Sequence, residues 1–431
     1  MRSSRSPGRF DVMFDDDHAV ANAGLVLTAS MAEILGIEAL ADGIINLGDR
    51  PGAARPGRKV MTLVQSMVAG GDCIDDVDVL RCASTEEVLG HKAMAPSTCG
   101  TFLRSFTFGH VRQLDRLAEA ILARAWAAGA GPGDAPMTID MDSTICEVHG
   151  HHKQGATFGY TRVRGLHPLM ATRAETGEML QVRMRKGSAN SGRGAERFVN
   201  ELVARVRRAG ATGQLTLRAD SGFWSRKTIN ACQRLGVLIS ITVSQHDVIR
   251  KAIAAIDDDA WVDIDYTDGG VAQVAETTWK DLRLVVRRTR LVGRQATLWP
   301  DWRHHSFVTD RPGDPVALDA DHRQHAVVEL AIRDLKEGAG LNHVPSGKFN
   351  ANAAWLVLAS IAHNLLRWVS CLGLDHPGTI VAKTIRRRLI TVPGRITRSA
   401  RRDLLHLPSR WPWRHQFMTV VVRLRNLPLV R

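Results

Sequence analysis

The apolar residues change their period across residues 129–136. Before that stretch, in "HVRQLDRLAEAILARAWAAG", Val111, Leu114, Leu117, Ala118, Ile121 and Ala125 recur at steps of three and four. That spacing lines one face of a helix. After it, in "MTIDMDST", Met137, Ile139 and Met141 alternate with Thr138, Asp140 and Asp142. That is the period of a strand. Between them lies "GAGPGDAP", whose Gly and Pro residues punctuate the chain. The change predicts a helical N-terminal domain over residues 1–130 and a sheet-based architecture from residue 137.

The second half follows the strand with further elements. "HPLMATRAETGEMLQVRMRKG" reads as a hairpin turning at Glu175 to Gly177. "RGAERFVNELVARVRRAG" is an amphipathic helix with Phe198, Leu202 and Val206 on one face and Gly210 ending it. "QLTLRADSGF" is a strand with Asp220 at its end; "SRKTINACQRLG" is a helix and "VLISITVS" a buried strand. Strands and helices in this order predict an α/β core, begun over residues 137–245. Residues 246–318 read as a β-rich insertion, with "WVDIDYTD", "GVAQVAETTW", "LRLVVRRTRLV" and "HHSFVTD" as short strands. Residues 319–375 complete the core. There Asp319 or Asp321 can cap a helix "HRQHAVVELAIRDLKEG", with Val328, Ile332 and Leu335 on its apolar face. His325, Glu329 and Lys336 share another face, at spacings of four and seven.

Charge points to a polyanionic partner. Lys plus Arg less Asp plus Glu is 57 − 44 = +13, with a pI of about 10.0. From Lys383 to Arg431 the chain holds thirteen Lys or Arg and one acid, Asp403. Trp411 and Trp413 are interleaved with them. Cations alternating with stacking surfaces suit a nucleic-acid backbone, and residues 376–431 are read as a basic C-terminal segment. Ala353 to Trp368 is the most apolar stretch, but His363, Asn364 and Arg367 interrupt it. It is too short and too polar for a bilayer, so a buried helix and no membrane are expected. Six cysteines without a CxxC read as reduced thiols in the cytoplasm, and the first residues show no secretory pattern.

Three carboxylates stand out: Asp142 at the first strand, Asp220 at the end of the fourth, and Glu329 on the helix after the insertion. Divalent cations such as Mg²⁺ seek oxygen ligands, and two of them can serve phosphodiester chemistry. Residue types alone leave a solvated strand end open for each acid.

The wording around the acids is more specific. "DMDST", "QGATFGYTRVRGLHPLMA", "LRADSGF", "HRQHAVVELAIRDLKEGAGL" and "NAAWLVLASIAHNLLRW" occur in this order. Together they resemble the DDE transposases of bacterial insertion sequences, nearest to insertion-sequence family 1380. The resemblance covers about residues 137–370. It implies an RNase H-like core with a β-rich insertion, an N-terminal helical domain reading DNA ends, and DNA cleavage with strand transfer. It further implies Mg²⁺ or Mn²⁺ as two ions held by Asp142, Asp220 and Glu329. The partners so implied are double-stranded DNA, as terminal inverted repeats and as target, with a homodimer on the DNA. The setting would be the bacterial cytoplasm, at the nucleoid. Around the Glu, the wider group carries a Tyr, an Arg and a Lys; Lys336 matches the last. His322 and His325 stand at the first two positions and would contact phosphate as protonated imidazoles. Arg386, Arg387 and Arg388 are the expected tail contacts to DNA. Trp261, Trp279, Trp299 and Trp302 lie in the insertion; core packing is the expected role of each, and stacking of one on an unpaired base near the cut is the alternative that the resemblance suggests.

Two rival readings remain. "DMDST" also fits the DxDxT motif of haloacid-dehalogenase-like phosphatases, in which Asp140 would attack phosphorus. A transposase-derived repressor that binds DNA without cutting it is the other. "CEVHGHH", with Cys146, His149, His151 and His152, hints at zinc, but no second ligand pair follows at finger spacing.

Overall fold

The structure, a computed structural model, describes residues 11–159, 162–267, 269–291, 302–374 and 378–428. The N-terminal helices include α1 (Leu25–Ile34), α2 (Ile37–Ile44), α3 (Pro56–Ala69) and α4 (Phe108–Ala125). Leu114, Leu117, Ile121 and Ala125 of α4 are buried, as the spacing predicts.

The sheet then begins with β1 (Met137–Ser143), β2 (Leu169–Arg173) and β3 (Met179–Arg183). Gly177 turns the β2–β3 hairpin with φ of 67°, a left-handed conformation that a side chain would strain. Helix α5 (Ala195–Arg208), β4 (Leu215–Ala219), α6 (Arg226–Arg234) and β5 (Val237–Thr242) follow. The strand order is β3-β2-β1-β4-β5. β2 runs antiparallel to β1, while β4 and β5 run parallel to it. β1 is thus central, and both its faces are covered.

The insertion is not a separate body. Its strands β6 (Val262–Ile264), β7 (Gly270–Trp279), β8 (Leu282–Leu291) and β9 (Arg303–Thr309) extend the same sheet. β9 pairs antiparallel with β5, giving nine strands in one sheet. The edge of β5, which would otherwise present unpaired backbone groups, is closed by this addition.

The single helix expected after the insertion is two helices. α7 (Pro315–Arg323) starts at Asp314, whose side chain accepts from the Ala317 N–H at 2.9 Å. Asp followed by Pro is a helix start in its own right, so the cap lies upstream of Asp319 and Asp321. α8 (Ala326–Gly338) begins after a break at Gln324 and His325.

α9 (Phe349–Gly373) is the hub. It packs on α1, α3 and α4 and on the edge strand β3. Among the described residues it is the one helix long and apolar enough to cross a membrane, and it is buried inside the protein. Three of its buried polar residues bond to neighbouring elements. Asn364 bonds both the N–H and the C=O of Met179, at 2.7 and 2.8 Å, covering the end of β3. His363 reaches the Gly177 carbonyl at 2.9 Å, and Arg367 pairs with Asp334 of α8 at 2.7 Å. Burial of such groups is tolerable only with partners like these.

The basic C-terminal segment is not a free tail. β10 (Gly394–Ser399) and β11 (Arg402–His406) form a hairpin, and the Ala19–Val20 strand adds to it. α10 (Arg414–Arg425) packs on α1 and α9. The two ends of the chain therefore build one helical unit. Arg112 of α4 and Arg183 of β3 both grip Glu201 of α5, at 2.9 and 2.6 Å, tying that unit to the sheet.

Candidate active site

β1 and β4 are parallel neighbours, with Met141 opposite Ala219. The next residue on each is Asp142 and Asp220, so both acids leave the sheet at one rim. Neighbouring strands lie about 4.8 Å apart, which places the two carboxylates together. Asp220 also starts a short turn, accepting from the Gly222 N–H at 3.0 Å. Gly222 is required there: a Cβ would stand 2.7 Å from Ser191 and 3.1 Å from the Asp220 carboxylate. Glu329, exposed in the first turn of α8, lines a cavity of about 340 Å³ together with Asp142, Arg333, Lys336 and Glu337.

The electrostatics match that convergence. Burial raises the Asp142 carboxyl to about 6; Asp220 and Glu329 add to the rise, while the Ser143 N–H and His325 oppose it. Burial likewise raises Asp220, against the Gly222 N–H and the nearby His325 and His167 rings. Three converging carboxylates repel one another until a cation joins them. The donor set is all oxygen, and it fits a hard divalent ion.

This strain has a pH signature. Between its ordinary 3.8 and the raised value, the folded Asp142 holds a proton that the unfolded chain has released. The metal-free protein should therefore lose stability as pH rises through that window. Asp142→Asn removes this contribution, so in chelator near pH 7 the variant should melt a few degrees above wild type. Near pH 4 the difference should vanish. Melting curves of both proteins across that range check it.

Asp140 has a different position. It is fully buried, directly opposite Arg218 across the strand pair. Arg218 donates to both carboxylate oxygens, at 2.6 and 2.9 Å, and His325 Nδ1 lies 2.8 Å from Oδ1. Buried and held by these bonds, the carboxylate is not presented to a phosphorus centre.

The remaining expected contacts divide. Lys336 Nζ donates to the Ile145 carbonyl at 3.1 Å and lines both the acid-lined cavity and a neighbouring one of about 810 Å³. His325 heads α8 beside the acids. His322 is turned away: its ring nitrogens meet Ser240 Oγ and Thr242 Oγ1 at 2.8 and 2.9 Å. The ring stacks on Phe307 at 4.0 Å, and burial holds its pKa down to about 3. A neutral, fully bonded imidazole cannot make the phosphate contact expected of His322. Arg386 is likewise committed, donating to the carbonyls of Met67, Val68 and Gly338. It joins α3 to α8 instead of facing DNA. Arg387 and Arg388 are still in play; their guanidiniums lie over Trp413 at 5.3 and 5.9 Å.

In the insertion, Arg288 stacks between Trp261 and Trp302, at 4.0 and 4.6 Å, and Trp279 packs on Trp224. Trp299 lies outside the described residues. In "CEVHGHH", Cys146 is buried, its thiol pushed up to about 12 by burial, and Cys146–Glu147 is a short strand paired with Gly165 and Leu166; His149 lines the larger cavity.

Three features escaped the sequence reading. Arg218 lies two residues before Asp220, as Asp140 lies two before Asp142; once the later pair aligns, the earlier pair must. His167 lies within a quoted motif, but nothing local marked it. It holds Ser143 Oγ at 2.9 Å and the Ala189 carbonyl at 2.7 Å, bracing the residue next to Asp142. Asp72, Cys73 and Asp76 bring three donor atoms together on the loop after α3. There Asp76 accepts the backbone N–H groups of Asp72 and Cys73, a loop cap that explains the grouping.

Solved structures similar to this chain include one transposase complex. It is the cryo-EM structure of the piggyBac transposase synaptic complex with hairpin DNA, at 14% identity and a TM-score of 0.45. The match covers 86% of this chain and 79% of that one. No curated protein matches. The profile of transposase DDE domain group 1, however, spans residues 5–429, nearly the whole sequence, and by it this chain belongs to the DDE transposase family.

Proposed function

We propose that this transposase cuts the ends of its own mobile element and joins them to target DNA at the rim formed by Asp142, Asp220 and Glu329. The observation that carries the reading is the convergence of these three acids, with Asp142 raised by burial and by the other two. The strand order β3-β2-β1-β4-β5, in which β2 alone runs antiparallel to the other four, supports an RNase H-like core. Divalent ions, when bound, activate the attacking oxygen and steady the leaving one. The chain's own residues prepare the place. Asp142 and Asp220 are fixed by their strands, and Asp220 further by its turn. Glu329 arrives on α8, which Arg367 and Asp334 pin to α9. Lys336 sets a positive charge beside the cavity, where it can hold a phosphate.

The substrate would be double-stranded DNA carrying the element's inverted repeats, in keeping with the +13 charge. The phosphatase reading is disfavoured because its nucleophile, Asp140, is buried and fully bonded. The test is incubation with linear DNA bearing the sequences that flank the gene. Cleavage at the repeat boundary in Mg²⁺ and none in chelator supports the proposal. Binding without cleavage in any divalent metal would favour the repressor reading.

The tail makes a separable prediction. Arg387→Ala and Arg388→Ala should each flatten the salt dependence of DNA binding by about one unit of slope. Arg386→Ala should instead lower the melting temperature, since three backbone carbonyls lose their donor. Filter binding across a salt series, with melting curves, separates the two effects.

A further inference from the structure

We infer that His325 adds a nitrogen donor, through Nε2, to the metal held by Asp142, Asp220 and Glu329. This rests on the metal-site reading above and extends it from oxygen ligands alone to a mixed set.

The argument begins at Asp140. Arg218 occupies both of its oxygens, so the 2.8 Å contact from His325 Nδ1 is an N–H donated to an acceptor. That places a proton on Nδ1, so in the neutral ring the lone pair is on Nε2. Among the described residues Nε2 has no hydrogen-bond partner. The ring is near both rim acids, for it opposes the rise of the Asp142 and the Asp220 carboxyls. His325 and Glu329 are four apart, which puts both on one face of α8. The break between α7 and α8 aims that face at the rim.

A histidine that donates one ring N–H to a carboxylate and offers the other nitrogen outward is the usual arrangement of a metal-bound imidazole. Here Asp140 is the orienting carboxylate, which gives the buried Asp140–Arg218 pair a role beyond packing. The other nearby imidazoles are committed elsewhere. His167 spends its nitrogens on Ala189 and Ser143, and His322 on Ser240 and Thr242. Imidazole is a better donor to transition ions than to Mg²⁺, so the mixed set should hold Mn²⁺ more tightly than Mg²⁺, and the later ions more tightly still.

The full-length protein loaded with Mn²⁺ tests this by electron spin echo envelope modulation, which detects ¹⁴N bound directly to the ion. The expected spectrum shows one imidazole nitrogen. In His325→Gln the nitrogen signal should disappear while Mn²⁺ still binds, about tenfold more weakly. Mn²⁺ that is lost in Asp142→Asn but shows no ¹⁴N coupling in wild type would overturn the inference and leave the metal site standing. A nitrogen signal that persists in His325→Gln would overturn it too. Mn²⁺ binding indifferent to Asp142→Asn would remove the metal-site reading itself, and this inference with it.

Discussion

Asp142→Asn is expected to abolish cleavage of element-end DNA, by several orders of magnitude, while DNA binding survives. The substitution keeps the shape of the side chain but removes a charge at the point where three carboxylates converge. Loss of a charge that holds a divalent ion removes the stabilisation of the attacking and leaving oxygens together. Binding depends on basic residues elsewhere, so gel-shift affinity should change little. The folded variant should also be at least as stable as wild type without metal, since like-charge repulsion has been relieved. Loss of cleavage with unchanged binding and undiminished stability is a combination that unfolding cannot produce.

Asp140→Ala, two residues away on the same strand face, is expected to fail differently. Arg218, 2% exposed, would be left with its guanidinium buried and its main partner gone. Breaking a buried pair from one side costs about 3–5 kcal/mol. Denaturant unfolding should show that loss as an earlier midpoint with little change in slope. The double variant Asp140→Leu with Arg218→Met should recover much of the stability, because both buried charges then go together. If Asp140→Ala unfolds at the wild-type midpoint, the pair is not what holds β1 to β4.

Much of this was legible in the sequence, and the reasons are local. The period change at residues 129–136 marks where helices give way to the sheet. Alternation in "MTIDMDST" and "QLTLRADSGF" identifies two strands, each releasing an acid at its end. What alternation cannot supply is register. Only the alignment of Met141 with Ala219 shows that Asp142 meets Asp220 and Asp140 meets Arg218. The same limit hid the role of His322. Its position in the motif suggested phosphate, but Ser240, Thr242 and Phe307 are brought to it by β5 and β9, remote in the chain. Charge counting misled at the tail for a related reason. Arg386 looks like its neighbours in sequence, yet the carbonyls that hold it belong to α3 and α8. Composition reports how many cations there are, and packing decides which of them face solvent. The start of α7 was readable from Asp314 and Pro315, a capping signal outweighed by the longer apolar pattern after it.

The central claim, that the rim of β1 and β4 is the metal centre, is most directly tested by anomalous X-ray scattering from crystals of the protein grown with Mn²⁺. The expected difference map has its strongest peak between the Asp142 and Asp220 carboxylates, with Glu329 at its edge. A strongest peak at the Asp72–Asp76 loop, or anywhere away from Asp142 and Asp220, would contradict the account.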